Sequence, residues 1–146
     1  MSSGAETQMR AWRCHAFGDF HALVIEAVPA PRPAPDELGI EVRAFAPGFP
    51  DMLMVQGLYQ LKPPLPFTPC AEFSGVVAAL GEEVTGFRVG DPVMGSVRHG
   101  AAAERLTVRA NDCLALPPTL DFVHGAGFLI AAKTAQPCRM SLTILP

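Results

Sequence analysis

The chain has 146 residues, 49% of them hydrophobic and 17% charged, and 11 Lys+Arg against 14 Asp+Glu leave a net charge of −3. That length supports one ordinary domain with a real core, and the absence of any basic excess excludes a nucleic-acid-binding module that works through a positive face. With 13 glycines and 15 prolines the chain is too ordered for low complexity and too proline-rich for a helical bundle, so a loop-rich β protein is expected.

Residues 1–8 carry neither a basic cluster nor an apolar stretch and read as a disordered leader, not a secretory signal. Met9 to His15 and Leu23 to Val28 alternate as strands around the Gly18-Asp19 turn, which predicts a β-hairpin. Pro29, Pro31, Pro33 and Pro35 then predict an extended surface connector, since proline fixes φ and withholds a donor. Leu38, Ile40, Val42 and Ala44 alternate with Glu41 and Arg43 as a half-buried strand. Pro50 to Val55, stopped by Gly57, predicts a helix of one or two turns, and Lys62 to Pro66 a rigid loop.

Phe73 to Leu80 reads as a buried strand closed by the Gly81-Glu82-Glu83 turn, and Val93-Met94 and Glu104 to Arg109 as further short strands. Thr119 to Lys133 is the one longer helix, with Thr119 as its cap, Asp121 in its first turn and Pro137 beyond its end. Six or seven short strands with one real helix suggest a mainly β fold, a small barrel or sandwich with short peripheral helices. No apolar run reaches the ~18 residues of a membrane span.

Cys14, Cys70, Cys113 and Cys138 are widely separated and form no Cys-x-x-Cys pair, so reduced thiols and a cytoplasmic setting are expected. His15, His21, His99 and His124 are scattered, and no Cys stands near them at ligand spacing; no metal is expected. Ser74 and Ser96 lack the glycine spacing of a nucleophile elbow. Gly125-Ala126-Gly127 opens like a dinucleotide fingerprint, but Ile130 stands where the last small residue belongs and no strand leads into it; helix packing is expected there.

The run Phe49 to Tyr59, continuing through Lys62-Pro63-Pro64-Leu65-Pro66-Phe67-Thr68-Pro69-Cys70-Ala71-Glu72-Phe73-Ser74-Gly75, resembles the medium-chain dehydrogenase/reductase superfamily. The likeness is to its zinc-independent NADPH:quinone oxidoreductases of the zeta-crystallin type. Val84-Thr85-Gly86-Phe87-Arg88-Val89-Gly90-Asp91-Pro92-Val93 extends the match, which covers about residues 9–131. The resemblance implies a GroES-like β-barrel as the catalytic domain, 9–131, followed by an atypical tail, 132–146, with no Rossmann domain in this chain.

It further implies hydride transfer from NADPH to a small-molecule quinone or enone. Asp51 and Thr134 are implied as cofactor contacts and Tyr59 as the catalytic donor to the substrate carbonyl. Read as a residue alone, Tyr59 is equally a rim aromatic with a wet hydroxyl. Zinc-binding members carry a Cys near Gly48 and a His at Ala71, so no zinc is implied. Gly48 stands where relatives usually have Asn, and Cys70 where they have Gly. After Ile130 the chain departs from the family, which suggests a truncated or frame-disrupted product whose barrel supplies one wall of the cofactor pocket and little turnover alone. The alternative is a non-catalytic interaction module or homo-oligomer, driven by an uncovered apolar surface.

Overall fold

In the computed structural model, which describes residues 7–142, the first alternating segments form the expected hairpin. Strands β1 (Gln8–Arg13) and β2 (Val24–Pro29) pair antiparallel from Gln8↔Pro29 to Arg13↔Val24. Gln8 therefore belongs to the sheet and not to the leader, because its backbone has a partner on β2; residues 1–6 lie outside the described part. The turn uses both expected residues. Gly18 takes a φ of +138°, and the Asp19 carboxylate accepts from the His21 N–H at 2.8 Å, capping a short 3-10 turn.

The main sheet has the order β6-β3-β4-β5-β7 and every pairing in it is antiparallel. Its members are β3 (Glu37–Ala46), β4 (Glu72–Leu80), β5 (Pro92–Ser96), β6 (Arg105–Arg109) and β7 (Cys113–Ala115). The hairpin closes against this sheet through Trp12 N–H to Ala102 O at 2.9 Å and through paired bonds between Cys14 and Phe67. The result is the mainly β, GroES-like barrel with peripheral helices, and no βαβ crossover occurs among the described residues. Leu38, Ile40, Phe73, Val77, Val93, Leu106 and Val108 fill its core, and Val84 and Phe87 cover it from a loop rather than a strand.

Helix α1 (Phe49–Val55) has Pro50 in its first turn, where a missing N–H costs nothing. Helix α2 (Phe122–Leu142) departs from expectation at both ends. Asp121, not Thr119, caps it, accepting from the His124 N–H at 2.8 Å, since a carboxylate one residue before the first turn reaches that amide. The helix also continues past Pro137 rather than ending before it. A proline removes one bond of the ladder, and its neighbours still supply theirs. The part of the atypical tail up to Leu142 is thus a continuation of this helix.

Helix α2 seats on β4 through small residues. Ala126 and Leu129 are buried, and the fully buried Ser74 hydroxyl donates to the Phe122 carbonyl. Gly125 serves helix packing, as expected, since a Cβ on it would meet Leu116 Cδ1 at 2.4 Å; Gly127 is exposed, and a Cβ there would meet only Ala46 Cβ at 3.9 Å. On the other face of β4, a Cβ on Gly75 would lie 2.2 Å from the Glu41 carbonyl oxygen. Because that obstacle is backbone of the paired strand, Gly75→Ala should cost ~3 kcal/mol or more, or block folding, and chemical denaturation checks it.

Candidate active site

The last pair of the β3–β4 ladder is Ala46↔Glu72, so the loop after β3 and the start of β4 lie at one end of the sheet. Gly48 turns the chain into α1, and the Asp51 Oδ2 reaches back to accept the Gly48 N–H at 2.7 Å. That bond satisfies one orphan amide of the helix start. Asp51 is only 7% exposed, and its other oxygen, Oδ1, is buried with no partner among the described residues. Burial pushes the carboxyl above the usual carboxylate range, and the Gly48 N–H offsets this in part.

Cys70 stands beside this carboxylate. Its backbone has a φ of +72°, a left-handed conformation that glycine adopts freely and a residue with Cβ does not, so a glycine would suit this position. Its thiol is pushed up to about 12, first by burial and then by the negative charge of Asp51. Cys113 is likewise pushed up to about 12, by burial and then by Asp112.

At the same end, Glu72 Oε1 accepts the Ile130 backbone N–H at 2.6 Å, pinning the middle of α2 to the start of β4. Thr134 follows Ile130 by one helical turn and is exposed. Asp51, Glu72 and the Ile130–Thr134 stretch of α2 are thus brought to one region by topology. Tyr59 lies just past α1, its N–H bonded to the Leu53 carbonyl at 3.2 Å, and packs half-buried against Cys14, Met54, Val55 and Phe67. Asp51, Met54 and Val55 share the buried face of α1, so Tyr59 borders the same helix face as the carboxylate. No hydrogen bond joins Asp51, Tyr59 and Thr134 among the described residues, and neither of two open grooves, of about 550 and 500 Å³, is lined by them.

Two features escaped the sequence reading. Glu72 bonds a helix amide rather than a ligand, which no spacing rule signals because the partner is backbone 58 residues away. The coupling of Cys70 to Asp51 had a faint signal, a cysteine where glycine is usual. Among the described residues no three of His, Cys, Asp and Glu cluster closely enough to share an ion, and no helix is long and apolar enough to cross a membrane.

Two consequences are measurable. Folding raises the Asp51 carboxyl, so its contribution to stability is full below the unfolded value and lost as pH rises through the folded one. Asp51→Asn keeps an acceptor for the Gly48 N–H; it should be more stable than wild type at about pH 7, with the gain gone at about pH 3, by urea unfolding. Native Cys70 and Cys113 should react with iodoacetamide at about pH 8 at least ~10²-fold more slowly than in denaturant, because little thiolate is present. Peptide mass spectrometry resolves each site.

The sequence model for the alcohol dehydrogenase GroES-like domain matches residues 34–133. The human synaptic vesicle membrane protein VAT-1 homolog is 37% identical over 121 residues, covering 82% of this chain and 31% of the relative. Quinone oxidoreductase from Rattus norvegicus is 35% identical over 133 residues, covering 90% of this chain and 40% of the relative. The crystal structure of Escherichia coli quinone oxidoreductase complexed with NADPH superposes with a TM-score of 0.83 at 26% identity, over 90% of this chain and 41% of that one. The chain spans about a third of the length of the curated relatives it matches. It belongs to the alcohol dehydrogenase GroES-like domain family, an oxidoreductase family, in the quinone oxidoreductase-like part of the medium-chain dehydrogenase/reductase superfamily.

Proposed function

We propose that this chain forms the substrate-side wall of a metal-free reductase that passes hydride from NADPH to a quinone or an activated alkene in the cytoplasm. The observation that carries this reading is the buried Asp51 carboxylate, half satisfied, at the sheet end where β3, β4 and α2 converge. An acceptor held there without a donor fits a ligand that brings an amide N–H or a hydroxyl, as a nicotinamide nucleoside does. The names of the rat and Escherichia coli relatives support the same chemistry.

Asp51 Oδ1 would accept from the nucleotide, and the exposed Thr134 hydroxyl on α2 would donate to it. When bound, the nicotinamide supplies the hydride. The Tyr59 hydroxyl would donate to the acceptor's carbonyl oxygen, stabilising the negative charge that grows there as hydride arrives. Gly48 and Ala71 offer no metal-ligating side chain, and the Cys70 thiol, pushed up to about 12, stays protonated at neutral pH. A zinc-free site follows from those three positions.

A second reading, a non-catalytic interaction or oligomerisation module, draws on one observation: Phe49 and Leu58, flanking α1, are 70% and 72% exposed. The readings separate experimentally. Joined to a nucleotide-binding domain of its relatives, the chain should oxidise NADPH in the presence of menadione or a 2-enone, and Tyr59→Phe should lower kcat by ~10²-fold with little change in KM. No NADPH-dependent turnover with either acceptor, together with self-association in light scattering, would favour the module. The chain alone should bind NADPH more weakly than micromolar, read by fluorescence of Trp12, because no βαβ unit with a glycine-rich turn to hold the pyrophosphate occurs among the described residues.

A further inference from the structure

We propose that the groove between the β1–β2 hairpin and the Pro64–Thr68 loop is an anion site that takes an organic carboxylate carrying an apolar body. This site lies apart from Asp51, Tyr59 and Thr134, and it does not rest on the reductase reading.

Its volume of about 500 Å³ falls in the range of small-molecule sites, ~300–1,000 Å³. Two arginines, Arg13 and Arg105, reach into it, and no Asp or Glu lines it among the described residues. Arg13 is preset. Its Nη1 donates to Thr68 Oγ1 at 3.2 Å and its Nη2 to the Pro66 carbonyl at 3.0 Å, which fixes the guanidinium plane against the loop. One N–H on each Nη remains free, and the buried Nε–H has no acceptor among the described residues. Thr68 itself is buried, so the anchor is part of the framework and not a mobile surface group.

Arg105 has no ion pair among the described residues. Glu104, which feels the Arg105 charge, is held by Arg10 at 2.7 Å in the other groove, and Glu41, opposite Arg105 across the strand pair, is held by Arg43 at 3.1 Å; neither lines this groove. Two guanidiniums in a groove whose lining holds no carboxylate favour a bound anion, and the flat guanidinium fork matches a carboxylate's two oxygens. His99 adds a ring whose pKa burial holds down, so at neutral pH it contributes an uncharged imidazole and not a third cation. It packs edge-on against Phe67, with ring centroids 5.8 Å apart.

The remaining walls are apolar. Pro31, Pro64 and Pro66 are rigid and present no backbone donor, and Met9, Val28 and Phe67 complete the lining. A bare inorganic anion would leave these walls empty, whereas an aryl or alkyl carboxylate covers them while its head meets the arginines.

Calorimetric titration of the whole chain with 2-naphthoate, 2-naphthol and inorganic phosphate tests this. One saturable site for 2-naphthoate is expected, with 2-naphthol and phosphate each at least ~10-fold weaker, and Arg105→Gln should weaken 2-naphthoate ~10-fold. Arg13→Gln should weaken it further, but it also frees the loop, so Arg105→Gln with an unchanged circular dichroism spectrum carries the decision. Absence of 2-naphthoate binding, equal binding of 2-naphthol or of phosphate, or unaltered binding in Arg105→Gln would each overturn the proposal.

Discussion

The buried hydroxyl of Ser74, donating to the first-turn carbonyl of α2, is the contact on which the arrangement of the molecule depends. Side chains of a strand alternate, so Glu72 and Ser74 face α2 while Phe73 and Gly75 face the barrel. The two outward residues each bond the helix backbone, at Ile130 and Phe122, and the two inward ones set how closely β3 and β5 approach. Of the α2 residues whose burial is described, Gly125, Ala126 and Leu129 are buried, so the helix gains modestly from hydrophobic contact there. Directed bonds from β4 therefore weigh heavily in where it sits.

Much of this was legible because the signals were local. Alternation at Leu38–Ala44, the turn residues Gly18 and Asp19, and Pro50 at a helix start each act within a few residues, and each appears where expected. The weaker readings needed partners far away. β7 is three residues long and is a strand only because Val93 to Gly95 pair with it, which no periodicity announces. Val84 and Phe87 cover the core from a loop, a role that depends on what they pack against and not on local spacing. The start of α2 was offset by two residues because Thr119 and Asp121 are both good caps, and only the final backbone path decides between them.

The candidate site was legible as a set of positions and not as a geometry. Family resemblance placed Asp51 on the first turn of α1, and proline at 50 made that turn readable, but burial of the carboxylate depends on Cys70 and the sheet end packing over it. The left-handed backbone at Cys70 is strained for a residue with a Cβ, where glycine would impose no strain.

Among the described residues, two buried side-chain polar atoms lack a partner: Asp51 Oδ1 and Arg13 Nε. Leaving such a group unmade costs ~1–3 kcal/mol, more where it is charged, and the core elsewhere satisfies its polar atoms. One is an acceptor without a donor and the other a donor without an acceptor. Arg13 lines the hairpin groove and Asp51 does not, and no hydrogen bond joins the two. In the readings proposed above, a hydrogen-bond donor meets the first, and an anion meets the free Nη N–H groups beside the second.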